Sequence, residues 1–179
     1  MLASRKTGNR VLRTRLRVAI LLVILLAAAA ASISLLTERA TAPEVKFITI
    51  TGEVIPMSEL RGKVVLVEFW STDCATCVKE MPQLVRTYQK YRAAGFEAIA
   101  VAMKYDPPNY VVSYTKQNAL PFTVSLDPMG ELAKAFGDVK LTPTTFLIDK
   151  QGRIVKRMLG ERDFARLHAL IEEKLAEPA

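Results

Sequence analysis

Cysteine, histidine and tryptophan are scarce in this chain: its 179 residues include two cysteines, one histidine and one tryptophan. Two cysteines form at most one disulfide, so no framework of disulfides supports the fold. Half of the residues are apolar, which suffices for a hydrophobic core without such support. A structural zinc site takes four ligands, and the two cysteines with the distant His168 fall short of that number. The composition therefore predicts no metal site, and we expect His168 to be a structural residue of the last helix.

Acidic residues are absent from the first 17 positions, which carry six basic ones: Arg5, Lys6, Arg10, Arg13, Arg15 and Arg17. The whole chain has a formal net charge of +7, but from Thr37 onward 19 basic residues are balanced by 18 acidic ones. The basic excess thus belongs to one terminal block. The sequence therefore predicts no basic face of the kind that binds nucleic acid.

Charge of either sign is missing from residues 18–36, a run of 19 apolar and small residues. At about 1.5 Å per residue, such a helix just crosses a hydrocarbon core of about 30 Å. The basic block before it favours a cytoplasmic N-terminus and an exported C-terminal part. A cleaved signal peptide is the alternative, because the alanines at 27–31 resemble a cleavage site. The apolar run is longer than a usual signal core, which favours an uncleaved signal-anchor.

These patterns predict a single-pass protein of the inner (cytoplasmic) membrane. Residues 1–17 form the basic cytoplasmic tail, residues 18–36 the transmembrane signal-anchor and residues 37–45 a polar tether. Residues 46–179 form a domain in the periplasm or another extracytoplasmic space.

Both cysteines stand in one Cys-x-x-Cys motif, Cys74-Ala75-Thr76-Cys77. The motif follows a run of strand-forming residues at 64–70 and precedes apolar residues spaced as on one helix face: Val78, Met81, Val85 and Tyr88. The free N–H groups and positive dipole end at a helix start stabilise a thiolate, which is the attacking form in disulfide exchange. A structural disulfide would close too short a loop to stabilise the fold much. The pattern therefore favours a redox-active pair.

Strand and helix patterns alternate along the rest of the chain. The predicted strands are 46–50, 64–70, 96–103, 122–126, 142–149 and 153–159, and the predicted helices are 76–93, 109–118, 129–136 and 163–176. The first strand is expected to be followed by a loop that contains Gly52 and Pro56, and residues 150–152 to form a turn that pairs the last two strands as a hairpin. This order predicts an α/β fold with a mixed central sheet flanked by helices.

Three stretches together carry a family resemblance: Gly62-Lys63 before the strand at 64–70, the cysteine motif with Glu80-Met81-Pro82, and the run from Thr142-Pro143 to Asp149. From about residue 46 to residue 175 the chain resembles the thioredoxin superfamily, and more narrowly the membrane-anchored TlpA-like thiol–disulfide oxidoreductases. Residues 105–127 resemble the helix–strand insertion that distinguishes TlpA-like proteins. The resemblance implies a thioredoxin-like fold with this insertion and no cofactor.

The resemblance also implies roles for individual residues. Cys74 matches the nucleophile and Cys77 the resolving cysteine. Pro143 matches a proline that follows a cis peptide bond and lies against the disulfide, and the backbone of Thr142 would pair with an extended substrate. Trp70, at the start of the cysteine loop, is a further candidate for substrate binding.

An acidic residue, Glu68, interrupts the apolar strand at 64–70. It could be an edge-strand carboxylate facing water, but apolar neighbours on both sides favour burial. The resemblance matches it to an acid beneath the active site, whose pKa should rise and which could accept a proton from Cys77. Asp73, where the family usually has tryptophan, is expected to be the helix N-cap.

The resulting prediction is a thiol–disulfide oxidoreductase that exchanges disulfides with protein substrates. The family resemblance suggests a reductase in cytochrome c maturation or respiratory copper-site assembly, acting on apocytochrome c or copper-site proteins and re-reduced by a membrane thiol-reductant transporter. A thiol peroxidase of the peroxiredoxin class is an alternative, since Ser71 fits its pattern, although Val67 stands where that class has proline. A copper-binding module is another, with Met81 as the one nearby additional ligand.

Overall fold

The computed structural model describes residues 40–178. The strands are β1 Lys46–Ile48, β2 Val54–Pro56, β3 Val64–Trp70, β4 Phe96–Ala102, β5 Thr123–Leu126, β6 Thr144–Ile148 and β7 Ile154–Leu159. The helices are α1 Ala75–Tyr91, α2 Pro108–Gln117, α3 Glu131–Ala135 and α4 Phe164–Ala176. The predicted tail and signal-anchor at 1–36 lie outside the described residues. Between residues 40 and 178, no helix is both long enough and apolar enough to cross a bilayer.

Five strands form one mixed sheet in the order β5-β4-β3-β6-β7. Strands β3, β4 and β5 run parallel, whereas β6 and β7 are antiparallel to their neighbours. All seven residues of the central strand β3 are buried, as expected for an apolar run covered on both faces of the sheet. The predicted mixed sheet flanked by helices is confirmed.

Alternation along β3 divides the core into two layers, because successive side chains of a strand point to opposite faces. Val64, Leu66 and Trp70 pack with buried side chains of α1, α2 and α4. Val65, Val67 and Phe69 pack on the other face with α3 and the β1–β2 hairpin. Glu68 shares the period of Leu66 and Trp70, so its side chain belongs to the layer that contains α1 and α4.

The β1–β2 hairpin is a correction to the sequence prediction, which had a loop containing Gly52 and Pro56 after the first strand. Residues 54–56 form β2 and pair antiparallel with β1. The connection closes through hydrogen bonds from Thr49 N to Glu53 O and from Gly52 N to Thr49 O, with Gly52 at φ +86°. Strands of three residues are too short to show an alternating pattern, which explains why the sequence did not indicate this one.

The insertion predicted at 105–127 contains α2 and β5, and β5 adds to the sheet beside β4. Part of the segment assigned to the tether also contacts the domain. Ile154 N donates to Ala40 O at 2.7 Å, Ala42 N donates to Gly152 O at 2.9 Å, and Ala42 is buried. The chain therefore already lies along the start of β7 at residues 40–42.

Candidate redox site

Cys74 and Cys77 form a disulfide at the first turn of α1, with their Cα atoms 5.2 Å apart. Cys74 is the N-cap residue, and its Sγ accepts a hydrogen bond from Cys77 N at 3.2 Å. Cys74 is partly exposed, whereas Cys77 has no exposed surface. In the reduced protein, the same N–H and the helix dipole are placed to stabilise a thiolate on Cys74. The accessible sulfur is therefore the first one, as the nucleophile must be.

The prediction that Asp73 caps the helix is wrong, because Cys74 occupies the N-cap position. The carboxylate of Asp73 accepts a hydrogen bond from the hydroxyl of Ser71 instead and is exposed. This hydrogen bond joins two residues of the loop immediately before Cys74. This arrangement leaves the helix N-terminus to the sulfur.

Asp106 holds the cysteine loop from the neighbouring strand and was missed by the sequence analysis. Its buried carboxylate accepts hydrogen bonds from Thr72 N and Thr72 Oγ1, both at 2.6 Å. The two residues follow β3 and β4, whose carboxyl ends lie at the same edge of the sheet because these strands are parallel. That parallel pairing is the signal that could have identified the contact.

Thr142 and Pro143 lie at this same edge. The peptide bond between them is cis, as the resemblance implied. Because β6 is antiparallel to β3 and Thr144 pairs with Phe69, the residues before Thr144 lie beside the carboxyl end of β3, where the cysteine loop begins. Thr142 is partly exposed, and its Oγ1 is 3.4 Å from the hydroxyl of Tyr105. The fold thus brings the predicted substrate-pairing backbone and the cysteine motif together.

Trp70 has no exposed surface, which contradicts the expectation that its side chain binds substrate. Its ring packs on Tyr114 of α2, with ring centroids 5.3 Å apart, in the core layer that also contains Cys77. A side chain without exposed surface cannot contact a docked protein. Trp70 therefore supports the cysteine loop from within the core.

Glu68 is completely buried in the central strand, so the edge-strand alternative is wrong and the predicted burial is confirmed. Burial raises the pKa of its carboxyl, the positive charge of Arg162 opposes this rise, and the charge of Glu80 adds to it. Burial and the negative charge of Glu68 raise the pKa of Tyr114 on α2. The direction of the pKa shift agrees with the sequence prediction.

Arg162 was missed by the sequence analysis, although it is the cation of the site. It precedes α4, is buried, and donates from its backbone N to Glu80 Oε1 at 2.6 Å and from Nε to Glu80 Oε2 at 2.9 Å. Its Nη2 lies 2.9 Å from Glu80 Oε2 and 3.0 Å from Glu68 Oε1. Arg162 and Glu80 are 82 residues apart, and no local pattern signals such a pairing.

Comparison with known proteins agrees with this geometry. A family model described as Redoxin matches residues 37–171. The thiol–disulfide oxidoreductase ResA of Bacillus thuringiensis subsp. konkukian is 35% identical over 133 residues, which cover 74% of this chain and 75% of that relative. ResA of Bacillus subtilis is 33% identical over 136 residues, covering 74% and 73% of the two chains.

Among solved structures, a thiol:disulfide interchange protein of the thioredoxin family from Chlorobium tepidum matches with a TM-score of 0.72 at 26% identity. The match covers 78% of this chain and 99% of the other. The predicted thioredoxin-like fold is thereby confirmed. With a disulfide joining an accessible and a buried cysteine at the start of α1, the chain belongs to the Redoxin family and is a thiol–disulfide oxidoreductase of the thioredoxin superfamily.

Proposed function

We propose that this protein is a membrane-anchored reductase that acts on disulfides of other proteins outside the cytoplasm. The observation that carries the proposal is the disulfide between a partly exposed Cys74 at a helix N-terminus and a fully buried Cys77. The ResA relatives are named as thiol–disulfide oxidoreductases, which supports the same chemistry. Protein thiols and disulfides are accordingly the substrates.

The reaction takes two steps of thiol–disulfide exchange. The thiolate of Cys74 attacks one sulfur of the client disulfide, so that a mixed disulfide forms and the other client sulfur leaves as a thiolate. Cys77 then loses its proton and attacks the sulfur of Cys74, which releases the second client thiolate. The client disulfide has gained two electrons, and Cys74 and Cys77 end as the disulfide. Glu68 is the group proposed to take the proton of Cys77.

The client approaches over the edge of the sheet that carries Thr142. Two large apolar side chains near this edge are exposed, Tyr105 by 51% and Leu141 by 61%. Leu141 immediately precedes Thr142, and the hydroxyl of Tyr105 lies close to the Thr142 side chain. An extended client segment pairing with the backbone of Thr142 would cover both apolar side chains while presenting its disulfide to Cys74.

The cellular setting follows from residues 1–36. The basic block at 1–17 and the apolar run at 18–36 support an anchor in the inner membrane with the domain in the periplasm or its equivalent. An exported reductase needs a dedicated electron source, because its compartment is oxidising. We propose a membrane thiol-reductant transporter as that source, and apocytochrome c or copper-site proteins as clients.

Neither alternative function is favoured by a specific contact. The hydroxyl of Ser71 donates to Asp73, and Val67 is buried in the core. Met81, the additional copper ligand considered from the sequence, is buried beneath the site in the same core layer as Cys77.

Trapping of the mixed disulfide tests the proposed function. In cells expressing full-length Cys77→Ala, clients should remain attached to Cys74 and appear as adducts that a thiol reductant removes. The control is Cys74→Ser with Cys77→Ala, which should form none. Oxidised apocytochrome c added to the purified reduced protein should be reduced by the wild type and captured by Cys77→Ala. A wild type that reduces no protein disulfide, together with a variant that forms no adduct, would refute the proposal.

Protease treatment of spheroplasts tests the proposed orientation. Protease added outside should digest the domain and leave a fragment that contains residues 1–17. A domain protected until the membrane is dissolved would contradict an extracytoplasmic location.

A further inference from the structure

Three buried charged residues meet on the side of the sheet whose core layer contains Cys77, each from a different part of the fold. Glu68 comes from the central strand β3, Glu80 from the second turn of α1, and Arg162 from the segment between β7 and α4. The side chains of Glu68 and Arg162 have no exposed surface, and that of Glu80 has 5%. One guanidinium therefore serves two carboxyl groups in a region from which water is largely excluded.

Arg162 binds the two carboxyl groups unequally. Glu80 accepts two hydrogen bonds from Arg162, from the backbone N–H at 2.6 Å and from Nε at 2.9 Å. The remaining group, Nη2, makes one ion contact with each carboxylate, at 2.9 Å to Glu80 and at 3.0 Å to Glu68, and this is the contact by which Arg162 reaches Glu68. Charge-assisted hydrogen bonds hold a carboxyl group as its anion much more firmly than one ion contact does. Glu68 is therefore the carboxyl that Arg162 binds less firmly, and burial raises its pKa.

The charged and titratable groups that face Glu68 come from each element packed against it. They are Glu80 on α1, Arg162 before α4 and the phenol of Tyr114 on α2. Across the sheet, β4 and β6 oppose Glu68 with Ala100 and Thr145, which carry no charge. Burial raises the pKa of Tyr114, so its phenol is neutral at physiological pH. Among the described residues, Arg162 is thus the cation that opposes the effect of burial on Glu68.

We propose that Arg162 is a positioning residue for proton transfer, which holds Glu80 as its permanent partner and turns Nη2 toward Glu68 so that Glu68 is an anion when Cys77 must lose its proton. This inference rests on the proposed function, since it concerns the resolving step. In that step the proton of the Cys77 thiol moves to the Glu68 carboxylate and a bond forms between the two enzyme sulfurs. The bond from Cys74 to the client breaks, and the client leaves as a thiolate.

The positive charge of Arg162 determines the direction in which its removal should shift the pKa of Glu68. Arg162 lowers the pKa of Glu68, whereas burial and Glu80 raise it. If the positive charge is removed, Glu68 remains protonated to a higher pH and is not available as a base at neutral pH. Resolution should then become slow at pH 7 and recover as the pH rises. A role confined to packing would lower the rate at every pH by the same factor.

The experiment uses reduced full-length protein in detergent and glutathione disulfide as the probe. Glutathione forms a mixed disulfide on Cys74, and its release by Cys77 is followed by rapid quenching and mass spectrometry between pH 5 and 10. Arg162→Met should slow release at pH 7 by about tenfold or more and move the midpoint of the pH profile upward by about one unit or more, since one pKa unit is a tenfold change in the ionisation ratio. Arg162→Lys, which keeps the charge, should lie closer to the wild type.

Two comparisons separate this role from a structural one. Lys79 and Glu161 form an exposed ion pair between residues adjacent to Glu80 and Arg162, so Lys79→Gln with Glu161→Gln is a matched control that should keep the wild-type profile. In a Glu68→Gln background, Arg162→Met should cause little further loss, because the base on which it acts is gone. An equal loss in both backgrounds, or an unchanged profile in Arg162→Met, would overturn the inference.

Folding of the variant is controlled separately. If Arg162→Met does not fold by circular dichroism, Arg162→Met with Glu80→Gln removes one carboxylate together with the cation. It should still show an upward shift, although a smaller one, because Glu80 itself raises the pKa of Glu68. An unshifted profile in that double variant would equally overturn the inference. If the wild type forms no mixed disulfide with the probe, the proposed function fails rather than the role of Arg162.

Discussion

Helix α1 meets the region around α4 through polar side chains at both of its ends, and the two contacts differ in their access to water. At the redox end, Glu80 and Arg162 are buried with Glu68. At the far end, Thr87 Oγ1 lies 2.8 Å from Nε2 of the half-buried His168.

An exposed carboxylate, Glu172, completes the far end. It accepts a hydrogen bond from Tyr91 Oη and pairs with Lys90 at 3.2 Å. We name Glu68, Glu80 and Arg162 the redox-end cluster. The far-end cluster consists of Thr87, Lys90, Tyr91, His168 and Glu172.

The difference shows what burial adds to an otherwise similar contact. A charge at the far end can be hydrated in either protonation state, so its neighbours tune it only slightly. At the redox end, water cannot compensate, and the arrangement of one cation and two carboxyl groups decides where the proton resides. The contact at the redox end is thus sensitive to the charge of each of its buried groups. The contact at the far end is less sensitive, because water can hydrate its charges.

The largest contrast is expected in stability. Arg162→Met leaves Glu68 and Glu80 buried without their cation and should lower the free energy of unfolding by about 3–5 kcal/mol. Urea unfolding of the oxidised protein, followed by fluorescence of the single tryptophan, Trp70, measures it. The double change of the exposed Lys79–Glu161 pair should leave the midpoint unchanged. A similar loss from both changes would remove the distinction between buried and exposed pairs.

The next effect concerns catalysis. Glu68→Gln preserves the volume of the side chain but removes the proton acceptor, so release of glutathione from Cys74 should slow by about 100-fold at pH 7. His168→Gln, the matched amide at the far end, should retain the wild-type rate in the same quenched reaction. Equal rates for wild type and Glu68→Gln would show that Cys77 loses its proton to another acceptor.

Asp106 extends the comparison to the other side of the cysteine loop. Asp106→Ala removes two short hydrogen bonds to Thr72 and leaves the backbone N–H of Thr72 without its acceptor, which should cost about 1–3 kcal/mol in the free energy of unfolding. Urea unfolding measures the loss. Thr72→Val, which removes only the hydroxyl, should cost less, and a reversed order would contradict the importance of the backbone contact.

The redox-end cluster should also affect stability through pH. The folded protein raises the pKa of Glu68 above its unfolded value of 4.5, so the folded state binds the proton more tightly. The stabilisation is complete below pH 4.5 and is lost as pH rises through the folded pKa, by at most about 1.4 kcal/mol per pH unit. Free energies of unfolding for wild type and Glu68→Gln, measured across pH 4–9, should therefore diverge with this slope. Parallel curves would contradict it.

The far-end cluster should show a smaller dependence of the opposite sign. Burial lowers the pKa of His168 below 6.5, helped by the nearby charge of Lys90 and opposed by Glu172. The folded state therefore binds this proton less tightly, and the associated stability is present above pH 6.5 and lost as pH falls through the folded pKa. His168→Gln should flatten the curve below pH 6.5. An unchanged curve would indicate that His168 is hydrated alike in both states.

Local patterns predicted most of the fold. The strand at 64–70 was predicted with its observed bounds, and the helix predicted at 76–93 is observed at Ala75–Tyr91 followed by a 3₁₀ turn at Arg92–Ala94. An apolar run and a helical spacing are properties of neighbouring residues, so they are visible in the sequence. The hairpin strand Val54–Pro56 was missed because three residues do not establish a period.

The site was only half visible in the sequence. Cys74 and Cys77 can be identified from their spacing, and Glu68 from its position in an apolar strand. Arg162 and Asp106 cannot be identified from the sequence, since each contacts residues far away in the chain. Trp70 was misassigned because its place next to the cysteine loop does not reveal that its ring points into the core.

The sequence by itself determined the central strand, the helix that begins at the cysteines and the redox pair, because these depend on hydrophobic period and on residues a few positions apart. Only the tertiary structure decided which cation pairs with the buried Glu68 and Glu80 and which of the two carboxyl groups it binds more firmly. The physical reason is that burial and ion pairing depend on how α1, β3 and the segment before α4 pack together, and Arg162 meets Glu80 across 82 residues of chain.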